Sequence, residues 1–456
     1  MLKLMFAAAA SDSGKTSVTC GMLSLLSEMG MDPCAFKCGP DYIDPMFHRS
    51  VLGVDSHNID LFMCDKARAK EMFRRYSAGH GACIVEGVMG YYDGLSGSNI
   101  RASACDVAET LDIPVVLIVR PKGTALTLAA VIRGLAEFRK PTHIKGVILN
   151  DCPEMIYRQF GPVYEKQTGI PVLGYIPHIE GASFKSRHLG LYTAGEIKDL
   201  TERIGKIKDA IKQGVDMDRL MKICGSEDIP AEACRTAPVD VSDRPVIAVA
   251  RDEAFNFIYE ESVDTIRDAG ADISYFSPLH DGSVPDEASG IYIPGGYPEL
   301  YAEELENNAA MRESIREAVL SGMPVIAECG GFLYLGKSLA DREGVRYEMA
   351  GVLPGDAENG GRLVRFGYAE LSADKDSMLI KAGERYPVHE FHYWDSTDNG
   401  SDLTAAKTLS ARKWSCGFAS ETMYAGFPHL YMAGSPVMAE RFVHAAHEFA
   451  GRKGNR

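Results

Sequence analysis

Two places in the 456-residue chain bring together residue types that do chemistry. The first is Ser13-Gly14-Lys15-Thr16-Ser17, which follows the apolar run Leu4-Met5-Phe6 and leads into the helical pattern Val18, Met22, Leu25, Leu26. A strand, a tight loop and a helix in that order leave the first N–H groups of the helix unpaired at the positive end of its dipole, where they can cradle a phosphate. Ser13, Gly14, Lys15, Thr16 and Ser17 are then the nucleotide-binding residues, with Lys15 reaching the terminal phosphates and the Thr16 hydroxyl on Mg²⁺. The usual pattern has glycine where this chain has Ala9 within Ala7-Ala8-Ala9-Ala10, so the loop is a variant. The same tripeptide also suits a plain polar turn capping an amphipathic helix. Lys3 ahead of an apolar run admits a signal peptide, but its apolar core is too short and no small-residue cleavage site follows.

The second place is Glu328-Cys329-Gly330-Gly331, between the apolar run Pro324 to Ala327 and the helical pattern Phe332-Leu333-Tyr334-Leu335. A cysteine on a strand-to-helix turn has the nucleophile-elbow arrangement, which exposes the thiol and aims the helix dipole at it, lowering its pKa. Gly295 and Gly296, after a neighbouring strand, are placed to offer backbone N–H groups to an oxyanion. For a base the chain offers His389, His392 and His429. A structural buried cysteine is the alternative, and the default for the other ten.

These residues need rigid elements to hold them. Strand patterns at Leu4 to Phe6, Ala35 to Lys37, Cys83 to Glu86, Val115 to Val119 and Gly146 to Asn150 alternate with helices at Ser17 to Met29, Lys66 to Ala78, Cys105 to Leu111 and Thr127 to Phe138. That is a doubly wound parallel sheet, which takes its ligands at the carboxyl ends of its strands. Two loops there carry carboxylates, Lys37-Cys38-Gly39-Pro40-Asp41-Tyr42-Ile43-Asp44-Pro45 and Glu86-Gly87-Val88-Met89-Gly90-Tyr91-Tyr92-Asp93-Gly94. Asp41 and Glu86 are therefore metal-ligand candidates beside Thr16, although Asp41 and Asp44 also suit plain turns. Glu86 directly ends an apolar strand and needs a partner. Arg187 and His188 could bind an anion or cap a helix. A strand at Val172 to Ile176 and helices from about Ala194 to Ile223 close the first domain, 1–224; 225–244, rich in Pro, Asp, Glu and Ser, is the expected linker. A second α/β pattern occupies 245–456, starting at Val246 to Ala250.

Composition is that of an ordinary globular chain, long enough for two or three cores. The net charge of −15 and the lack of a dense basic tract speak against nucleic acid as a partner, and no apolar run reaches the roughly 20 residues of a membrane span. Eleven cysteines without a C-x-x-C pair suit free thiols in a cytoplasmic protein.

Taken in order, the variant phosphate loop, Gly39 to Pro45, Glu86 to Gly90, Arg187 to Leu191, Ala248 to Asp252, Pro294 to Glu299, Glu328 to Gly331 and His389 to Tyr393 resemble the cobyrinic acid a,c-diamide synthases of corrin biosynthesis over nearly the whole chain. The resemblance implies two doubly wound α/β domains, the first a P-loop domain similar to dethiobiotin synthetase, the second a class I glutamine amidotransferase. It implies Cys329 as nucleophile and His429 as base. Amidotransferases of this class commonly carry Glu two residues after that histidine; here Tyr431 stands there, leaving the third member open. The family's usual glycine before His389 is Val388. Asn150 would contact adenine, and Tyr42, Asp44, Asp93, Arg101 and Arg187 would bind the substrate, with Lys122 a further cation on that side.

The expected reaction is ATP- and Mg²⁺-dependent amidation of the a and c carboxylates of cobyrinic acid through an acyl phosphate, with ammonia released from glutamine and led to it along a sheltered path. Hydrogenobyrinic acid or nickel sirohydrochlorin would suit the same motifs, and cobyric acid synthase shares the two domains. A nucleotide-regulated binding protein with an inactive amidotransferase domain is the reading from another class. The oligomer stays open, a homodimer included.

Overall fold

The computed structural model describes residues 1–181, 194–227, 229 and 243–454. Contacts divide the chain into two units, Met1–Arg235 and Thr236–Arg456. The expected linker and Arg187 and His188 lie wholly or mostly outside the described residues.

In unit 1 the elements run β1 (Leu2–Ala8), α1 (Lys15–Glu28), β2 (Pro33–Cys38), α2 (Ile43–Leu52), β3 (Ser56–Ile59), α3 (Lys66–Ser77), β4 (Ala82–Glu86), α4 (Ala104–Leu111), β5 (Val115–Val119), α5 (Thr127–Glu137), β6 (Ile144–Asn150), α6 (Glu154–Thr168), β7 (Val172–Ile176), α7 (Ala194–Gly214) and α8 (Met217–Cys224). The strands form one parallel sheet in the order β3-β2-β4-β1-β5-β6-β7. Its central strands are buried on both faces, which is why β5 is the unbroken apolar run VVLIV. Helix starts are fixed locally: Asp65 accepts from Arg68 N at 2.8 Å, and Ser103 Oγ from Asp106 N at 3.2 Å.

Two elements depart from the sequence pattern. The stretch around Pro45 looks like loop but opens α2, because a proline in the first helical turn loses no intrahelical bond. The polar Ser56-His57-Asn58-Ile59 forms edge strand β3, so the Glu86 strand is fourth in sequence and not third.

Unit 2 runs β8 (Val246–Ala250), α9 (Glu260–Asp268), β9 (Asp272–Phe276), β10 (Ala288–Ile293), a 3₁₀ turn at Pro298–Leu300, α10 (Ala302–Asn307), α11 (Ala309–Leu320), β11 (Val325–Glu328), α12 (Gly330–Leu335), β12 (Ser338–Ala340), β13 (Arg346–Glu348), β14 (Asp356–Asn359), β15 (Arg365–Ala373), β16 (Arg385–His392), β17 (Trp394–Ser396), β18 (Leu403–Ala406), β19 (Lys413–Cys416), β20 (Phe418–Ala419), β21 (Met423–Gly426) and α13 (Pro436–Gly454). The main sheet has the order β20-β21-β11-β10-β8-β9, parallel except at the β20 edge. Two four-stranded sheets, β13-β12-β14-β17 and β16-β15-β18-β19, accompany it, so this unit carries more antiparallel structure than its doubly wound pattern suggests. Each unit closes its own apolar core: Leu4, Phe6, Ile84, Ile118 and Ile148 belong to the first, Ile291, Val325, Phe332 and Leu335 to the second. All ten described cysteines are free and buried. Among the described residues no helix is long and apolar enough to cross a membrane.

Candidate active sites

The phosphate loop of unit 1 leaves the carboxyl end of β1. Gly14, at φ +86°, begins α1 in the left-handed region, and a side chain there would collide with the Asn150 amide. Ala9 is absent from the left-handed residues, which in this loop are Asp12 and Gly14. The alanine in place of glycine therefore meets no backbone strain. Asn150, at the end of β6, donates from Nδ2 to Ser13 O at 2.9 Å and so braces the loop. Lys15 Nζ donates to Met89 O at 2.8 Å and Ala10 O at 3.3 Å. Burial pulls its pKa below the ordinary lysine value, offset in part by Glu86.

Register explains what gathers beside it. Lys37 on β2 and Phe6 on β1 both pair with Glu86 on β4, so the three strand ends face one spot. Thr16 Oγ1 donates to Glu86 Oε1 at 2.6 Å, and Lys37 Nζ to the same oxygen at 2.7 Å. Lys37 also lies 2.5 Å from Asp44 Oδ2 and 3.9 Å from Asp41 Oδ2. Burial works against the Lys37 charge, but Asp44, Glu86 and Asp41 together hold its pKa well above the ordinary value. Burial raises Glu86 and lifts Asp41 to about 6; at Asp44 the same effect is outweighed by Lys37, which holds the carboxyl low. The sequence pattern assigns Lys37 no role. A lysine ending a strand next to a phosphate loop is the signal that could have found it.

Glu86 Oε2 is buried with no hydrogen-bond partner, beside the Thr16 hydroxyl. That donor set fits Mg²⁺, which is held by one or two carboxylates plus phosphate oxygens and water more often than by a protein cage. Among the described residues, no group of three or more His, Cys, Asp or Glu is placed to hold a metal ion by itself.

Of the expected substrate contacts, Asp44 belongs to the Lys37 cluster and Tyr42 is buried at the start of α2. Asp93 Oδ2 accepts from Gly90 N at 3.0 Å and shapes its turn, while Arg101 and Lys122 are exposed. Arg120, directly after β5, reaches to 3.3 Å from the position a Gly14 side chain would fill; it is a loop-side cation that no sequence motif marks.

In unit 2, Cys329 takes φ 47° and ψ −103°, a conformation rare for a non-glycine residue and characteristic of strained functional turns. It follows β11 directly and starts α12 through Leu333 N to Cys329 O at 3.0 Å. Both following glycines are demanded by space: a side chain at Gly331 would strike Ile293 O, and one at Gly330 would come within 3.0 Å of Gly296 N. The Gly295-Gly296 backbone is thereby held against the elbow.

One expectation is corrected. The thiol is buried, at 7 % exposure, and burial followed by the charge of Glu299 pushes its pKa well above the ordinary value. Six-residue α12 does not offset this. Cys329 is therefore a thiol at rest, and any attack by its sulfur requires that the proton leave. Glu299, in the 3₁₀ turn, is itself raised to about 7 by burial.

Three histidines are candidates for the base. His392 Nδ1 is bonded to Trp394 O at 2.6 Å and its ring stacks on Phe427 at 3.7 Å. His389 exchanges backbone bonds with His429, His429 N to His389 O at 2.8 Å, and so docks the His429 loop on β16. His429 lies against the glycine turn after β10: its Cε1 is 2.5 Å from where a Gly295 side chain would be. Burial lowers its pKa to about 4, leaving a neutral imidazole at neutral pH. Tyr431 OH donates to Glu261 at 3.1 Å, and Glu328 Oε2 lies 3.5 Å from His429 Nδ1.

Residues 246–436 match the family model of the CobB/CobQ-like glutamine amidotransferase domain, and residues 54–186 that of an AAA domain. Fold and sites thus define a phosphate-loop enzyme joined to a glutamine amidotransferase. The chain is 37 % identical to a cobyrinate a,c-diamide synthase of Caldanaerobacter subterraneus over 98 % of its length and 99 % of the relative's. For proteins of the same name from Picrophilus torridus and Salmonella typhimurium the identities are 37 % and 35 %, each over 97 % of this chain and 98 % and 97 % of theirs. The chain belongs to the cobyrinate a,c-diamide synthase family.

Proposed function

We propose that this chain is a ligase that amidates the a and c side-chain carboxylates of cobyrinic acid, using ATP and taking ammonia from glutamine. The observation that carries the reading is end-to-end similarity to proteins of that activity, which spans both the phosphate loop and the cysteine elbow.

A carboxylate resists ammonia at neutral pH because oxide is a poor leaving group. Transfer of the γ-phosphoryl of ATP to it gives an acyl phosphate and ADP; ammonia then adds to the carbonyl and phosphate departs. Ser13, Gly14 and Ser17 line the phosphate cradle, Lys15 meets the terminal phosphate, and Asn150 fixes the loop from the adenine side. Mg²⁺ held by Thr16 and Glu86, with Asp41 near, would neutralise charge on the transferring group. Lys37 is the shared counter-charge that holds Glu86, Asp44 and Asp41 in place. Tyr42, Asp44, Asp93, Arg101 and Arg187 are the proposed contacts to the reacting side chain and its neighbouring carboxylates.

At the second site Cys329 Sγ attacks the glutamine carboxamide while His429 takes the thiol proton and passes it to the leaving ammonia. Gly295 and Gly296 stabilise the oxyanion. Water then cleaves the thioester and frees glutamate. One ATP and one glutamine are consumed per amide.

The test is mass spectrometry of products from the purified protein with ATP, Mg²⁺, glutamine and cobyrinic acid, in parallel with hydrogenobyrinic acid and nickel sirohydrochlorin. A diamide from cobyrinic acid is expected. Product from another macrocycle alone would move the substrate and keep the chemistry, and no product from any would overturn the reading. In Cys329→Ala, glutamine-driven product should vanish while ammonium-driven product persists.

A further inference from the structure

The sequence leaves the amidotransferase site one group short, since Tyr431 occupies the place where a glutamate would orient the histidine. Tyr431 does not take over that role, because its hydroxyl is turned to Glu261 and its ring packs edge-on against Tyr259 at 4.9 Å. A carboxylate reaches His429 from elsewhere. Glu328, the residue before the nucleophile, is fully buried at the end of β11, and its Oε2 faces His429 Nδ1 at 3.5 Å. We propose that Glu328 is the positioning residue of the glutaminase site, accepting the Nδ1–H of His429 and so presenting Nε2 as the atom that takes the thiol proton of Cys329. The inference rests on the reading of unit 2 as a working glutaminase.

The hydrogen-bond pattern around the carboxyl makes the assignment specific. Leu430 N donates to Oε1 at 3.2 Å, and Tyr292 OH donates to Oε2 at 3.3 Å. Leu430 N–H fixes Oε1 as an acceptor, so a proton held by the carboxyl sits on Oε2, and its loss leaves Oε2 to accept the Nδ1–H of His429. Glu390, a buried carboxylate whose charge is also felt at His429, has its nearest partners elsewhere, Trp414 Nε1 at 3.3 Å and His392 Nε2 at 3.8 Å. Since Glu328 and Cys329 are adjacent on the strained turn, one backbone element fixes both the nucleophile and the group that orients its base. A distance of 3.5 Å is long for a hydrogen bond, as is usual for catalytic contacts before substrate binds.

Glu328→Gln is the discriminating change. Leu430 N–H obliges the amide oxygen to take the Oε1 place, which turns the NH₂ toward Nδ1 and forces the proton onto Nε2, the wrong tautomer for a base. Asparagine in place of the orienting aspartate of a serine protease costs about 10⁴-fold in turnover for this reason. Glutamate release is expected to fall at least about 100-fold in Glu328→Gln, with ammonium-driven amidation and the melting temperature close to wild type. The wild-type rate should also rise with pH as Glu328 ionises, a limb absent from the variant; Glu390, His392 and His389, which act on His429, and Tyr292, which bonds Glu328, are the same in both proteins. Tyr431→Phe should release glutamate at the wild-type rate. If Glu328→Gln cannot be purified folded, Glu328→Asp serves instead: it keeps a carboxylate but withdraws it from Nδ1, and the same split between the two nitrogen sources is expected.

Unchanged glutamate release in Glu328→Gln would overturn the proposal. So would an equal loss of ammonium-driven turnover, which marks a structural residue, or loss of glutamate release in Tyr431→Phe. Glutamate release persisting in Cys329→Ala would instead overturn the glutaminase reading, so the two failures are distinct.

Discussion

Lys37 shows how much one buried side chain can decide. Its ammonium is the shared counter-charge of Glu86, Asp44 and Asp41. Removing one partner of a buried pair costs about 3–5 kcal/mol because the remaining charge is left uncompensated. Lys37→Met should therefore lower stability in denaturant by that order, with part of the loss recovered near pH 5 as the orphaned carboxylates take up protons, and should abolish ATP turnover. Lys37 lies in plain view in the sequence, yet its meaning depends on the register that pairs it with Glu86. Glu328 is hidden for a similar reason. The family pattern points two residues beyond His429 for a third catalytic member, whereas the group that faces the histidine comes from a different strand. Cys329, Thr16 and Lys15 stand out in the sequence because their surroundings are local, a turn, a glycine pair, a helix start, whereas His429 is singled out from three histidines only by the family resemblance.

At the level of elements, the loops between strand and helix carry the constraint. Gly14→Ala places a side chain against Asn150 and forces alanine into the left-handed region, a penalty of about 1–2 kcal/mol and so about tenfold in ATP affinity, measurable by titration calorimetry. Ala9→Gly should leave that affinity within about twofold, because Ala9 already sits in ordinary backbone space. Strands with continuous apolar runs and helices with clear starts are readable from periodicity alone. The α2 helix and β3 strand are not: Pro45 resembles a breaker until it is seen in a first turn, and Ser56-His57-Asn58 resembles a loop until its backbone pairs with β2. Asn58 supports the edge strand by donating to Gly39 O and Asp41 O, at 3.0 and 2.7 Å, which fixes the carboxylate loop. Most strands of the antiparallel sheets of unit 2 escape a periodicity reading because they have only three or four residues; β15 and β16, at nine and eight, are the exceptions.

Across the whole molecule, buried titratable groups set the response to pH. Burial raises Glu328 to about 8 and Glu299 to about 7, so the folded state holds protons that the unfolded chain, at 4.5, has lost. Their contribution is full below pH 4.5 and disappears as pH rises through the folded values. Burial lowers His48 and His429 to about 4 and His389 to about 3, against 6.5 unfolded, and this contribution is lost as pH falls from 6.5 through those values. The two sets oppose one another between pH 4.5 and 6.5. Above 6.5 the glutamates act alone, so between pH 6.5 and 8 Glu328 should cost stability by about 2 kcal/mol, seen as a falling melting temperature that Glu328→Gln flattens.

The same burial has a consequence for survival outside the catalytic cycle. Peroxide attacks thiolates, and a cysteine kept protonated and out of water is a poor target. Every described cysteine is buried, and Cys20, Cys38, Cys83 and Cys329 all have pKa values raised by desolvation. Cys329 is thus held at rest in its unreactive, protonated form. Brief exposure of the resting protein to hydrogen peroxide should leave Cys329 unoxidised by peptide mass spectrometry, a tolerance to oxidants that a permanently ionised cysteine would forfeit.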